Sequence, residues 1–413
     1  MKTLIGKNII WLMSEYGVRV VVNLIVGALI GRALGVSLYG VFQYALSITL
    51  VFMTLSYVCG VEVIVPRLID AKNSVHDTAA ILGSAMLVRS LAAAISYLSL
   101  IVFAINYESK SDFYAIAILG MTILLAEPFQ VVTAWFQSRT NIGPKSIVSI
   151  LSLLLKLGIV AALYVLDSKK MHYYAFAWLV EFLAAGVGLW FLFGRYIGVS
   201  PAVSWKEVKS LLSISWLFFA ALAISGLLAK LDIFMLKSLA SDEQLGLYGA
   251  AAQFNSGVIA MAPIFIMSLA PKLIYEVNDL SSVKKNIYRI VMLVGAVGVV
   301  ALFMVVALSS VAINVLYGAD FYVAGGIWSL LATGALFVYV DAALGTYFIK
   351  YKCGELLVLK ALLLLGLGYV AYSLSIPKYG ALGAAYGYIF VSVCSVVLSL
   401  VFIKYSISKR GTL

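Results

Sequence analysis

Eleven ionisable residues fall inside long apolar runs of this 413-residue chain: Glu15, Arg19, Glu62, Arg89, Glu127, Lys156, Glu181, Lys230, Asp232, Asp341 and Lys360. Near the middle of a bilayer such a group costs at least ~2.5–3.5 kcal/mol on insertion scales, so it is expected to face inward and to have a partner or a task. Five are basic and six acidic. Near-balance is what structural ion pairing produces, and that reading stays open for each. The functional alternative has two parts: buried cations hold an anionic group, and buried carboxylates carry a proton or a cation.

Arg19, Arg89, Lys156 and Lys230 sit deep in four separate runs and are expected to supply the positive potential of a shared cavity. Glu15 stands four residues before Arg19, on the same helical face, an arrangement that favours a pair. Asn23 extends that face, and Glu15, Asn23 and Asp341 are expected to line the cavity. Glu62, one turn before Pro66, and Glu127, directly before Pro128, are the first candidates for ion coupling, because proline removes a backbone donor and disturbs the helix. Asp232 is the third: Lys230 is two positions away and cannot share its face. His76 and His172 are far apart, and Cys59, Cys353 and Cys394 have no paired spacing, so no metal site or disulfide framework is expected. No phosphate-binding loop or catalytic cluster is present either. The sequence therefore predicts no cofactor and no enzymatic activity.

The elements that position these residues follow from composition. The chain is 63% hydrophobic and 11% charged, with a mean hydropathy of +1.06. About a quarter charged is usual for a soluble domain, so soluble and disordered classes are excluded. Twelve apolar runs are each long enough to cross a bilayer: 8–30, 40–65, 79–105, 113–136, 146–166, 172–193, 211–238, 244–270, 287–311, 324–349, 355–376 and 379–403. The longest polar break, 194–210, contains Pro201 and the amphipathic stretch Trp205-Lys206-Glu207-Val208-Lys209. It divides the chain into lobes of 1–200 and 201–413.

The net charge of +11 is not spread as a nucleic-acid surface would be; the cations sit singly between apolar runs. Eighteen Lys and Arg fall on one set of alternating connections and six on the other (Arg32, Lys110, Lys169, Lys170, Lys237 and Lys378), which predicts cytoplasmic N- and C-termini. The halves also repeat in order. Leu38-Tyr39-Gly40 returns as Leu247-Tyr248-Gly249, and Pro66-Arg67-Leu68-Ile69 as Pro271-Lys272-Leu273-Ile274. Asp112-Phe113-Tyr114 returns as Asp320-Phe321-Tyr322. Six spans per repeat make the repeat parallel, the arrangement in which two lobes rock around a central site. The expected fold is an all-α integral membrane protein with about 12 transmembrane helices in two six-helix bundles.

Three motifs carry a resemblance. The run from Gly31-Arg32-Ala33-Leu34-Gly35 to Leu38-Tyr39-Gly40-Val41-Phe42 resembles the N-terminal motif of polysaccharide transporters. These are the O-antigen flippases of the multidrug/oligosaccharidyl-lipid/polysaccharide (MOP) exporter superfamily. Lys230-Leu231-Asp232-Ile233-Phe234, followed by Leu245-Gly246-Leu247-Tyr248-Gly249, is similar to that family's seventh-to-eighth helix segment. Leu316-Tyr317-Gly318-Ala319-Asp320-Phe321 looks like its ninth-to-tenth connection. The resemblance implies a flippase in the bacterial inner membrane whose partner is an undecaprenyl-pyrophosphate-linked oligosaccharide. It implies a V-shaped cavity between the lobes and a polysaccharide polymerase and chain-length regulator as neighbours; with no nucleotide motif in the chain, the expected energy source is an ion gradient, of protons ahead of sodium. The alternatives it leaves are a drug antiporter of the same superfamily and, from another class, a membrane-embedded enzyme acting on polyprenyl-linked glycan.

Overall fold

The computed structural model describes residues 2–198, 200–277 and 279–411. Met1 and Leu413, whose cytoplasmic placement the charge count predicts, lie outside the described residues, as do Val199 in the 194–210 break and the side chains of Lys2, Lys7, Lys272 and Arg410. All regular structure among the described residues is helical. The chain divides into two compact units: Met1–Leu34 with Ala45–Gly226, and Gly35–Tyr44 with Leu227–Leu413.

The first unit is built from most of α1 (Lys2–Ser56), α2 (Val61–Asp70), α3 (Val75–Tyr107), α4 (Lys110–Ser138), α5 (Gly143–Val165), α6 (Met171–Leu192) and α7 (Trp205–Leu228). Ser74 and Ser109 cap α3 and α4 by accepting from the backbone N–H three residues on, which satisfies one of the free donors at each helix start. A buried cluster including Ile64, Leu68, Leu82, Phe136, Leu192, Val208 and Leu211 ties α2, α3, α4, α6 and the start of α7 together. The amphipathic stretch before α7's apolar part is fixed to this unit. Arg67 donates to Glu207 at 2.9 Å and to Ser210 at 2.5 Å, and Ser84 and Ser204 bond reciprocally.

The second unit holds α8 (Leu231–Leu239), α9 (Asp242–Ile259), α10 (Met261–Ala270), α11 (Leu280–Tyr317), α12 (Ala324–Lys350), α13 (Gly354–Tyr379) and α14 (Ala381–Gly411). Asp279 caps α11, and its bonds from Ser281 and Ser282 hold its carboxyl below the usual range. Residues 35–44 of α1 pack in this unit, where the two copies of the repeated Leu-Tyr-Gly motif meet. A Cβ on Gly246 would strike the Val36 carbonyl, and one on Gly249 would lie 2.9 Å from Gln43. Glycine is required there for close helix approach. Beside that crossing the Tyr39 hydroxyl donates to Gln253 at 2.6 Å and lies 2.9 Å from the Tyr317 hydroxyl.

Among the described residues, ten helices are long and apolar enough to cross a membrane, or eleven if Trp205–Trp216 and Phe219–Leu228 form one span. This is a multi-pass membrane protein. Ile10–Asp70 counts once, although it runs for 61 residues. At ~1.5 Å per residue it is about three times as long as a ~30 Å hydrocarbon core requires. Gly35, at φ 75° and ψ 172°, breaks its helical geometry at the point where the sequence separates the first two spans.

The structure also corrects two spans that read as continuous. The 40–65 run ends its first helix at Ser56 and restarts at Val61, with Cys59 at φ 58° in the turn. The 211–238 run is interrupted at Lys230, which has a non-helical φ of −124°. The 244–270 run, by contrast, keeps one candidate span over Asp242–Ile266, with Ala260 in helical geometry between α9 and α10. Apolar composition reports burial in lipid and is blind to a turn made of apolar residues. Pro128 has the opposite outcome: α4 runs through it unbroken to Ser138.

Candidate functional site

Five charged side chains of the first unit form a ladder of alternating sign across α1, α5 and α6. In order they are Lys145, Glu15, Arg19, Glu181 and Lys156, with successive separations of 2.6, 3.6, 3.9 and 2.7 Å. Helical spacing puts Glu15 and Arg19 on one face of α1. Lys145 reaches them from the first turn of α5, whose start is set by Gly143-Pro144. Ser146 adds a bond to Glu15 at 2.8 Å, and Lys156 donates to Asn23 at 3.0 Å.

The three cations are not equivalent. The Lys156 side chain is 2% exposed, and its ammonium also sits 4.4 Å over the Trp178 ring. Lys145 is held by a hydrogen bond to Glu15. Arg19 is 40% exposed and makes no hydrogen bond among the described residues; its carboxylate neighbours stand at ion-pair range only. Each carboxylate therefore has a lysine of its own, and Arg19 is the surplus positive charge. Beside it lies a cavity of about 90 Å³, lined by Arg19, Lys145, Glu181, Gln130, Thr133 and Ser149 among others. That is far below the ~300–1,000 Å³ of a pocket enclosing a whole small molecule. It has room for a few waters or a phosphate-sized group. The arrangement can hold a compact anion by its guanidinium and polar lining, and it cannot hold a sugar chain.

The remaining expected residues are placed apart from this ladder. Arg89 and Glu127, read from sequence as a cavity cation and a coupling acid, are partners of one another. Arg89 donates from Nη2 at 2.5 Å and from Nε at 3.2 Å, and the two side chains are 0% and 2% exposed. Arg89 also lies 4.7 Å over the Tyr57 ring, at the turn that breaks the second span. A guanidinium with no exposed surface offers nothing to a ligand in this conformation. Glu62 stands in the first turn of α2, just past that turn and not at the end of a continuous span, and its side chain is exposed.

In the second unit, Asp341 on α12 is saturated. It accepts from Lys360 on α13 at 2.6 and 2.7 Å and from Ser399 and Ser395 on α14 at 2.7 and 2.8 Å. Expected as a cavity-lining acid, it is a pin between three helices. Asp232, in the first turn of α8, accepts from the Tyr248 hydroxyl at 2.5 Å and the Ile233 N–H at 2.8 Å. Neither it nor Lys230 has an ion-pair partner among the described residues. No group of His, Cys, Asp and Glu there could hold a metal ion.

A family model described as "Polysaccharide biosynthesis protein" matches residues 5–275. The chain belongs to that family. No curated protein matches its sequence. Among solved structures, the chain is similar to the lipid II flippase MurJ in an inward closed conformation. The TM-score is 0.75 at 13% identity, over 96% of this chain and 87% of that one. It is also similar to an inward-facing MATE-family multidrug resistance transporter of the MOP superfamily, with TM-score 0.65, 11% identity and coverage of 95% and 94%. A MOP superfamily transporter from Pyrococcus furiosus matches at TM-score 0.60, 11% identity and coverage of 99% and 96%. At these identities the likenesses show a fold shared with those transporters.

Two ladder members were missing from the expected site. Lys145 counts as a loop cation in the charge tally, and nothing in sequence links it to Glu15, 130 positions away. Glu181 was among the intramembrane acids without a role. Trp178, three residues before it on the same helical face, is the signal that marks this face as more than lipid-facing bulk.

Proposed function

We propose that the protein is a flippase that moves undecaprenyl-pyrophosphate-linked oligosaccharide repeat units across the bacterial inner membrane, for O-antigen or another surface polysaccharide. The observation that carries this reading is the surplus, half-exposed Arg19 beside a small cavity of mixed polar and apolar lining. The pyrophosphate is the anionic part common to every such substrate and calls for a cation, while the lipid tail stays in the bilayer. Membership of the polysaccharide biosynthesis family and the MOP-transporter fold support the same substrate class. In this reading the chain makes twelve passes, with Ile10–Asp70 contributing two, and lobes 1–200 and 201–413 alternate access around the head group.

Arg19→Ala should sharply reduce surface glycan in a deletion strain while the protein still inserts. Arg19→Lys should retain part of the activity, since it keeps the charge and loses the fork of donors. Undiminished glycan in Arg19→Ala would remove the reading. Cross-complementation of strains lacking flippases of known substrate separates glycan export from drug export. The topology has its own check: reporter fusions after His76, Arg139 and Lys206 should all report cytoplasm.

A further inference from the structure

We propose that Glu15 and Glu181 are resident counter-anions of Arg19, which the anionic head must displace, and that this exchange sets how tightly the head is held. The proposal rests on Arg19 being the head-group ligand. Its ground is the asymmetry of the ladder. The outer contacts, Lys145–Glu15 and Lys156–Glu181, are hydrogen-bonded at 2.6 and 2.7 Å, whereas the inner contacts to Arg19 are 3.6 and 3.9 Å.

When an anion occupies the cavity, Arg19 can present its planar fork to it, because no hydrogen bond holds the guanidinium elsewhere. Glu15 then falls back on Lys145 and Ser146, and Glu181 on Lys156. Neither carboxylate is stranded, which is the costly outcome in a buried site. Thr133 lines the same cavity and keeps a buried hydroxyl without a partner among the described residues, a spare donor for an anion's oxygen. When the anion leaves, both carboxylates return to Arg19. A transporter must release what it binds, and a guanidinium with no counter-anion in a low-dielectric cavity would hold a pyrophosphate too firmly. Net, the ladder carries three cations against two carboxylates. It attracts the head and competes with it.

The test uses the full-length protein in detergent, with inorganic pyrophosphate as the probe and calorimetric titration as the readout. Glu15→Gln keeps the acceptor for Ser146 and removes one counter-charge. It should bind pyrophosphate roughly tenfold more tightly than the wild type, about 1.4 kcal/mol, and Arg19→Ala more weakly than both. In cells the same Glu15→Gln variant should export less glycan. Affinity and export moving in opposite directions is the signature, since a merely structural loss lowers both. Should Glu15→Gln fail to fold, Glu181→Gln reads the same effect from the other carboxylate. If the folded variants bind pyrophosphate no more tightly than the wild type, the counter-anion proposal is overturned while Arg19 can still be the ligand. If Arg19→Ala binds as the wild type does, the head-group reading itself falls.

Discussion

Arg89→Ala is expected to destabilise the protein by about 3–5 kcal/mol, because it leaves the Glu127 carboxylate buried without its cation. Arg89 is fully buried, bonds Glu127 through two nitrogens and covers the Tyr57 ring. The pair itself is a different matter. Two charges taken out of water regain by mutual attraction little more than their desolvation cost, so replacing both by apolar side chains of similar volume is often neutral. Arg89→Met combined with Glu127→Leu should therefore recover most of the loss. The orphaned Nη1 of Arg89, which has no partner among the described residues, adds to that expectation, because the double variant removes it too. Thermal unfolding of the detergent-solubilised protein measures all three. A single variant as stable as the wild type would mean that the pair opens to water. The stable double variant also separates structure from function: retained export makes the pair structural, and lost export makes it a working part that must open.

What the sequence disclosed and what it hid follow from the range of each signal. Hydropathy integrates over about twenty residues, so it located every long helix and missed the turns at 57–60 and at Lys230, where apolar residues occupy non-helical backbone. Of the motifs that recur along the chain, one pair acquires a shared place in the structure. Leu38-Tyr39-Gly40 and Leu247-Tyr248-Gly249 prove to be the two faces of one tight helix crossing. The Glu15–Arg19 pair was legible because helical spacing is local. The partners that decide its chemistry, Lys145 and Glu181, come from α5 and α6, and no local rule connects them. The same limit applies to Arg89, Glu127 and Asp341. Each was visible as an expensive charge, but whether a charge is sealed or available depends on a partner tens of residues away. Proline was a poor guide for a related reason. At Pro128 the helix continues, so a proline marks a missing donor and not a moving part.

That distinction ranks the acids that the sequence puts forward as candidates for ion coupling. Of the six intramembrane acids, Glu15, Glu127, Glu181 and Asp341 each have a lysine or arginine at ion-pair distance. Losing such an acid's charge strands a buried cation, which makes it a costly place to pick up and release a proton. Glu62 and Asp232 have no such partner among the described residues, and of these Asp232 has the better-defined surroundings. It is held by a tyrosine hydroxyl and a backbone N–H, both neutral donors, at the break between α7 and α8. Lys230 acts on it only from beyond ion-pair distance, so such a carboxylate can take a proton or a small cation and give it up again without breaking a direct ion pair. Asp232→Asn keeps the size and an acceptor for Tyr248 and deletes the charge. In liposomes carrying a pH dye, or a sodium dye in parallel, substrate-dependent ion flux should fall to the level of empty vesicles in Asp232→Asn. Tyr248→Phe should fall between the variant and the wild type, because it removes one donor and leaves the charge. The dye that responds in the wild type identifies the ion. Flux unchanged in Asp232→Asn would move the coupling site to Glu62, where Glu62→Gln applies the same measurement. Flux unchanged in both variants would place the coupling on another group, and a wild type without substrate-dependent flux would mean that export draws its energy from consumption of the flipped substrate on the far side of the membrane.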